Sequence, residues 1–139
     1  MLRQFALVAV LGSLSSLAQA SPILYEKETM NFAWGKVHHG CVIDHNGVVY
    51  TYDMAKKQNI TATAVTLSKT ELDQAHKLLY AASKGKYTEK HVMADAGSVT
   101  WTGYWGDETV TLKKWGDLTG QNSAKEAAEL ADLLDKYCQ

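Results

Sequence analysis

The sequence predicts an α+β fold: a mainly antiparallel sheet of about four to five strands, two of its hairpins explicit, with two helices packed on one face. Three observations predict it. Asn46-Gly47 and Gly106-Asp107 are tight-turn pairs flanked by alternating residues. Ser68 with Glu71, and Ser123 with Glu126, are spaced as capping boxes before helical stripes. The order along the chain is hairpin, helix, hairpin, helix, although the two halves do not align residue by residue.

The chain has 139 residues, and its first twenty read as a secretory signal. Arg3 gives a basic start, Phe5 to Ala18 is apolar, and Ala18-Gln19-Ala20 is a small-x-small cleavage site. The apolar run is about 14 residues and is broken by Gly12, Ser13, Ser15 and Ser16, whereas a spanning helix needs about 20. The expected organisation is therefore a cleaved signal over 1–20 and one globular α+β domain over 21–139, secreted or periplasmic, with no membrane insertion after cleavage.

Arg3 is the sole arginine, so the formal charge of −1 becomes about −2 when the signal leaves, and Lys interleaves with Asp and Glu. With no basic stripe the chain is not expected to bind nucleic acid. Without Arg it lacks the bidentate clamp that phosphate and carboxylate ligands favour.

Each element has its own signal. Residues 23–34 alternate, with Met30, Phe32 and Trp34 on one parity, and predict a first strand. A two-residue Asn46-Gly47 loop would set Cys41 opposite Tyr52 and Ile43 opposite Tyr50. Val37, Cys41, Ile43, Val48, Tyr50, Tyr52 and Met54 would then share the core face, leaving His38, Gly40, Val42, Asp44, Thr51 and Asp53 outside. Leu72, Ala75, Leu79 and Ala82 form the stripe of the first helix, with Gly85 as its stop.

A two-residue Gly106-Asp107 loop pairs Gly103 with Val110 and Trp101 with Leu112, with Val99 on the same face. It leaves Thr100, Thr102, Thr109 and Thr111 on a wet face. Ala127, Leu130, Ala131, Leu134 and Cys138 form the stripe of the second helix. Residues 55–66 and 86–97 read as connections.

Cys41 and Cys138 are the two cysteines. One falls on the apolar face of a strand and the other on a buried helical stripe, so a disulfide between them is expected in an oxidising compartment.

No specific catalytic motif is present. His38 and His39 point to opposite faces of a strand, and His39 and His45 are about 20 Å apart at 3.4 Å per residue, so no metal site and no cofactor are expected. Cys41 is not expected to be a free nucleophile. Glu26 with Glu28, and Asp44 with Asp53, read as solvated surface. Asn59-Ile60-Thr61 is a sequon that matters only in a glycosylating host.

Aromatics gather at the second hairpin tip. Tyr104, Trp105 and Asp107 are the candidate ligand-binding residues there, for another protein or a saccharide. The expected function is a small secreted or periplasmic binding or inhibitor-type protein without enzymatic activity. The alternative is a small extracytoplasmic hydrolase or metal-dependent enzyme using His38, His39 or His91.

Overall fold

A computed structural model describes residues 23–31, 35–92 and 97–139. The proposed signal, Phe32, Trp34 and Asp95 lie outside the described residues. The strands are β1 (Ile23–Asn31), β2 (Val37–Asp44), β3 (Val48–Asp53), β4 (Gln58–Thr66), β5 (Tyr87–His91), β6 (Ser98–Trp105), β7 (Glu108–Gly116) and β8 (Leu118–Asn122). The helices are α1 (Lys69–Ala82) and α2 (Lys125–Asp135), with a single 3₁₀ turn over Met54–Lys56.

One eight-stranded sheet runs β4-β3-β2-β1-β6-β7-β8-β5. Each paired neighbour is antiparallel. The expectation of about four to five strands is thus corrected to eight. β4 and β5 occupy the segments read as connections, and β8 carried no prediction. The two missed long-loop strands are the two edges of the sheet. An edge strand with both faces wet has no reason to alternate, and the charged Glu89 and Lys90 of β5 are the kind of residue that blunts an edge.

Because β4 and β5 lie at opposite edges, the chain between them must cross the sheet, and α1 makes that crossing. Its 14 residues reach about 21 Å, against about 34 Å for eight strands, and the flanking loops supply the rest. Both helices pack on one face. Ala75, Leu79, Ala82, Ala127, Leu130 and Leu134 form one cluster with Leu24, Tyr25, Cys41, Ile43, Val49, Val110 and Leu112 of the sheet.

The capping boxes differ from expectation, at α1 in the glutamate and at α2 in the serine. Ser68 does cap α1, its Oγ accepting from Glu71 N at 3.1 Å. The Glu71 carboxylate, however, turns to Lys136 and to the Tyr137 hydroxyl, pinning the C-terminal segment. Those contacts hold Glu71 below the ordinary carboxylate range. At α2 the N-cap is Ala124, without a side-chain cap. Ser123 Oγ instead accepts from Lys86 N at 2.9 Å. Asn122 takes over: its Oδ1 accepts from Ala124 N and its Nδ2 donates to the Ala82 and Thr111 carbonyls. Gly85 has an ordinary negative φ, and it is required for a different reason than a helix stop: a Cβ there would overlap Asn122 Oδ1.

The first hairpin is a correction with consequences. Its loop is three residues, closed by Gly47 N donating to Asp44 O at 3.0 Å with Gly47 at φ +86°. That is a type I turn followed by a left-handed glycine. Cys41 therefore pairs with Thr51, Val42 with Tyr50 and Gly40 with Tyr52, one residue out of the predicted register. Such a slip moves every side chain of β3 to the other face. Val49 enters the core, and Tyr50 and Tyr52 leave it for the face opposite the helices. The second hairpin does have the two-residue loop, with Gly106 at φ +60°, and pairs Gly103 with Val110 as expected. A bulge then sets Trp101 opposite Lys113 rather than Leu112, although Leu112 stays in the core.

Cys41 and Cys138 are joined by a disulfide, with their Cα atoms 5.3 Å apart, tying the centre of the sheet to the segment after α2. No helix among the described residues is long and apolar enough to cross a membrane.

One buried group stands out. The Tyr25 hydroxyl is fully enclosed and makes no hydrogen bond among the described residues. Burial, with Asp135 and Asp132 nearby, pushes its ionisation far above the usual phenol range. An unsatisfied buried hydroxyl costs about 1–3 kcal/mol. Tyr25→Phe is accordingly expected to stabilise the fold by about 1 kcal/mol, read as a higher urea midpoint at unchanged slope.

Candidate functional site

The residues on the sheet face opposite the helices follow from the register. β1 contributes Glu26 and Glu28, β2 His38, Gly40 and Val42, β3 Tyr50 and Tyr52, and β6 Thr102 and Tyr104. Ile23, Val42 and Tyr52 form a second apolar cluster there, with Tyr50, Ile60 and Tyr104 packed against it. No described helix lies on this face.

At its centre one carboxylate is held by two phenols. Tyr52 donates to Glu26 Oε2 at 2.8 Å and Tyr104 donates to Glu26 Oε1 at 3.1 Å. The three side chains come from β3, β1 and β6, and β2 lies between β3 and β1. Gly40 makes the reach possible, because a Cβ there would overlap the Tyr52 ring and hydroxyl. His38 stands edge-on to the Tyr52 ring, centroids 5.9 Å apart, and pairs with Glu28 through Nε2 at 2.8 Å. Tyr50 repeats the device, donating to Asp44 Oδ2 at 3.1 Å.

The electrostatics follow from enclosure. Burial raises Glu26 above the ordinary 4.5, with Glu28 adding to it, and this outweighs the two phenol hydrogen bonds and His38, which favour the charged form. Burial and Glu26 together push Tyr52 and Tyr104 far above the usual phenol range, so both hydroxyls stay protonated donors. The carboxylates read as solvated surface are therefore corrected: Glu26 is largely enclosed, and Asp44 is 1 % exposed.

A pH prediction comes from Glu26. The folded state holds its proton to higher pH than the unfolded chain, so this residue's contribution to stability falls as pH rises above 4.5. The unfolding free energy of wild type minus that of Glu26→Gln should decline between pH 4 and 7 in paired urea titrations. A flat or rising difference would contradict the enclosure of Glu26.

The three tip residues of the sequence analysis divide between surfaces. Tyr104 belongs to the phenol–carboxylate group. Trp105 points to the helix side, packs partly against the core and lies 5.1 Å from the Tyr80 ring, centroid to centroid. Lys84 sits over Tyr80 at 4.8 Å, and Asp107 is exposed at the turn.

The histidines of the enzyme alternative are not brought together. His38 is on the open face and His39 on the helix side of the same strand. His91, on β5, is five strands from His38, about 24 Å. Among the described residues no three His, Cys, Asp or Glu side chains are grouped to hold a metal. On the helix side a groove of about 340 Å³ borders the disulfide, lined by Lys27, Thr29, His39, Thr51, Asp53 and Cys138 among others. Its lysine is committed to Asp135 at 2.6 Å.

The sequence alone does not single out Glu26 and Tyr52 as partners of Tyr104, nor Tyr50 as a partner of Asp44. The available signal was Tyr50-x-Tyr52 at period two beside Glu26-x-Glu28, but it becomes a site only in the three-residue-loop register. Comparison with family models, with curated proteins and with solved structures finds no match for this chain.

Proposed function

We propose that this chain is a secreted or periplasmic binding protein without enzymatic activity, and that it recognises a protein partner through the tyrosine platform of the open sheet face. One observation carries the reading: the half-buried Tyr50 and Tyr104, flanking the buried Tyr52, have their hydroxyls fixed on enclosed carboxylates, on a face that no described helix covers. Rings held in this way lose little conformational freedom on binding, and tyrosine is among the residues that dominate interface energetics. Asp107 is exposed at the β6–β7 turn, three residues after Tyr104. The disulfide and the apolar N-terminal run support export.

The test is the affinity of Tyr104→Ala for a partner isolated from the native extracytoplasmic fraction. Binding should weaken by about 2 kcal/mol or more, with far-UV circular dichroism unchanged. Undiminished affinity in the folded variant would remove the platform from recognition. Tight retention of a glycan in place of a protein would redirect the reading to a saccharide ligand.

A further inference from the structure

Two imidazoles are stacked where the β2–β3 turn meets α1. His45 of the turn and His76 of α1 have ring centroids 5.1 Å apart and planes inclined by 25°. Both are half-buried, and His76 follows the fully buried Ala75 on the edge of the helix stripe. To His45, α1 presents His76, β2 presents Asp44, and β1 and β6 present the backbone of Ile23 and Tyr104. Asp44 is also engaged elsewhere, its Oδ1 accepting from Asn46 N and Val48 N and its Oδ2 from the Tyr50 hydroxyl.

Such a site accommodates a neutral stack better than two cations. Two protonated rings 5.1 Å apart lie well inside the screening length of about 8 Å at physiological ionic strength. Burial first, and then His76, hold His45 below its ordinary 6.5, while Asp44 and the Tyr104 and Ile23 backbone pull it back.

We propose that the His45–His76 stack is an acid-sensitive latch that fastens α1 to the β2–β3 turn and, through Ile23 and Tyr104, steadies the tyrosine platform. On acidification His45 takes one proton from solvent, the half-buried charge stacked on the His76 ring disfavours the closed form, and the helix separates locally from the turn. The regulatory role rests on the platform reading; the latch itself is a property of the chain alone. The sign is fixed by linkage. The opened form binds protons more readily than the closed one, so falling pH favours opening, by up to about tenfold per pH unit for each proton withheld. Glu26 acts in the opposite direction on global stability, so the readout must be local.

Amide hydrogen exchange of α1 and the β2–β3 turn, corrected for its intrinsic pH dependence, is the experiment. Opening should increase about tenfold in wild type between pH 7 and 5.5, and by a clearly smaller factor in His76→Gln, where burial alone still opposes the charge on His45. An unchanged wild type, or an equal increase in the variant, would overturn the latch. If His76→Gln does not fold, imidazole C–H titration of the wild type decides alone. His45 should then titrate below the ordinary histidine value, with the Tyr104 amide shift following it. Titration of His45 at the ordinary value would overturn the proposal. None of these readouts involves a partner, so loss of the platform reading would leave them intact, and a flat exchange profile would leave the platform reading intact.

Discussion

Replacing Cys41 and Cys138 together by alanine is expected to lower the unfolding free energy by about 4–5 kcal/mol. The bridge spans 97 positions, and cross-linking so long a segment removes much of the unfolded chain's freedom, about 4.7 kcal/mol for a 100-residue loop in the chain-entropy model. The native contacts around it are modest substitutes. Lys27–Asp135 at 2.6 Å is partly exposed and Lys136–Glu71 lies at the surface, so solvent screens both pairs. The fold as a whole should therefore become marginal, since small domains are stable by only about 5–15 kcal/mol. Urea unfolding of the oxidised wild type and the double variant measures this. A difference under about 1 kcal/mol would mean that the unfolded chain retains the same closure without the bond.

Leu79→Ala is expected to cost about 3–5 kcal/mol. Leu79 is fully buried, and its Cδ1 occupies the space over Gly103 of β6 where a Cβ would lie. Truncation leaves a cavity that the sheet cannot close, because β6 is paired on both sides. The same geometry predicts a coupling. Gly103→Ala alone should cost about 1–3 kcal/mol by overpacking. Combined with Leu79→Ala it should add little, because the new methyl enters the vacated space. Additive losses in the double variant would contradict the contact.

The two helices, the disulfide and the second turn were legible because each depends on local spacing. Ser68 and the Leu72–Ala75–Leu79–Ala82 stripe need no knowledge of distant strands. Cys41 kept its face in either register, since only β3 slipped. The strand count was not legible. β4 and β5 are edges with little buried on either face, and β8 is five residues long with Gly120 inside it. Periodicity reports burial on one side, and these strands have little of it. The platform was hidden for the opposite reason. β3 reads Val48-Val49-Tyr50-Thr51-Tyr52, apolar on both parities, because both faces of the sheet carry clusters there. Apolar sorting then favoured the two-residue loop, and the left-handed Gly47 that sets the three-residue loop fits either turn by composition. Tyr104 could be singled out as a binding residue. Its partners Glu26 and Tyr52 could not, since they lie 78 and 52 positions away and meet only when four strands are correctly aligned.

Hydroxyl-radical footprinting of the protein alone and with its isolated partner tests the platform most directly. Tyr80, half-exposed on the helix side, serves as an internal control. Protection of Tyr50 and Tyr104 on complex formation, with Tyr80 oxidised equally in both samples, is the predicted result. Protection of Tyr80 and Trp105 with Tyr50 and Tyr104 unchanged would place recognition on the helix side and contradict the account.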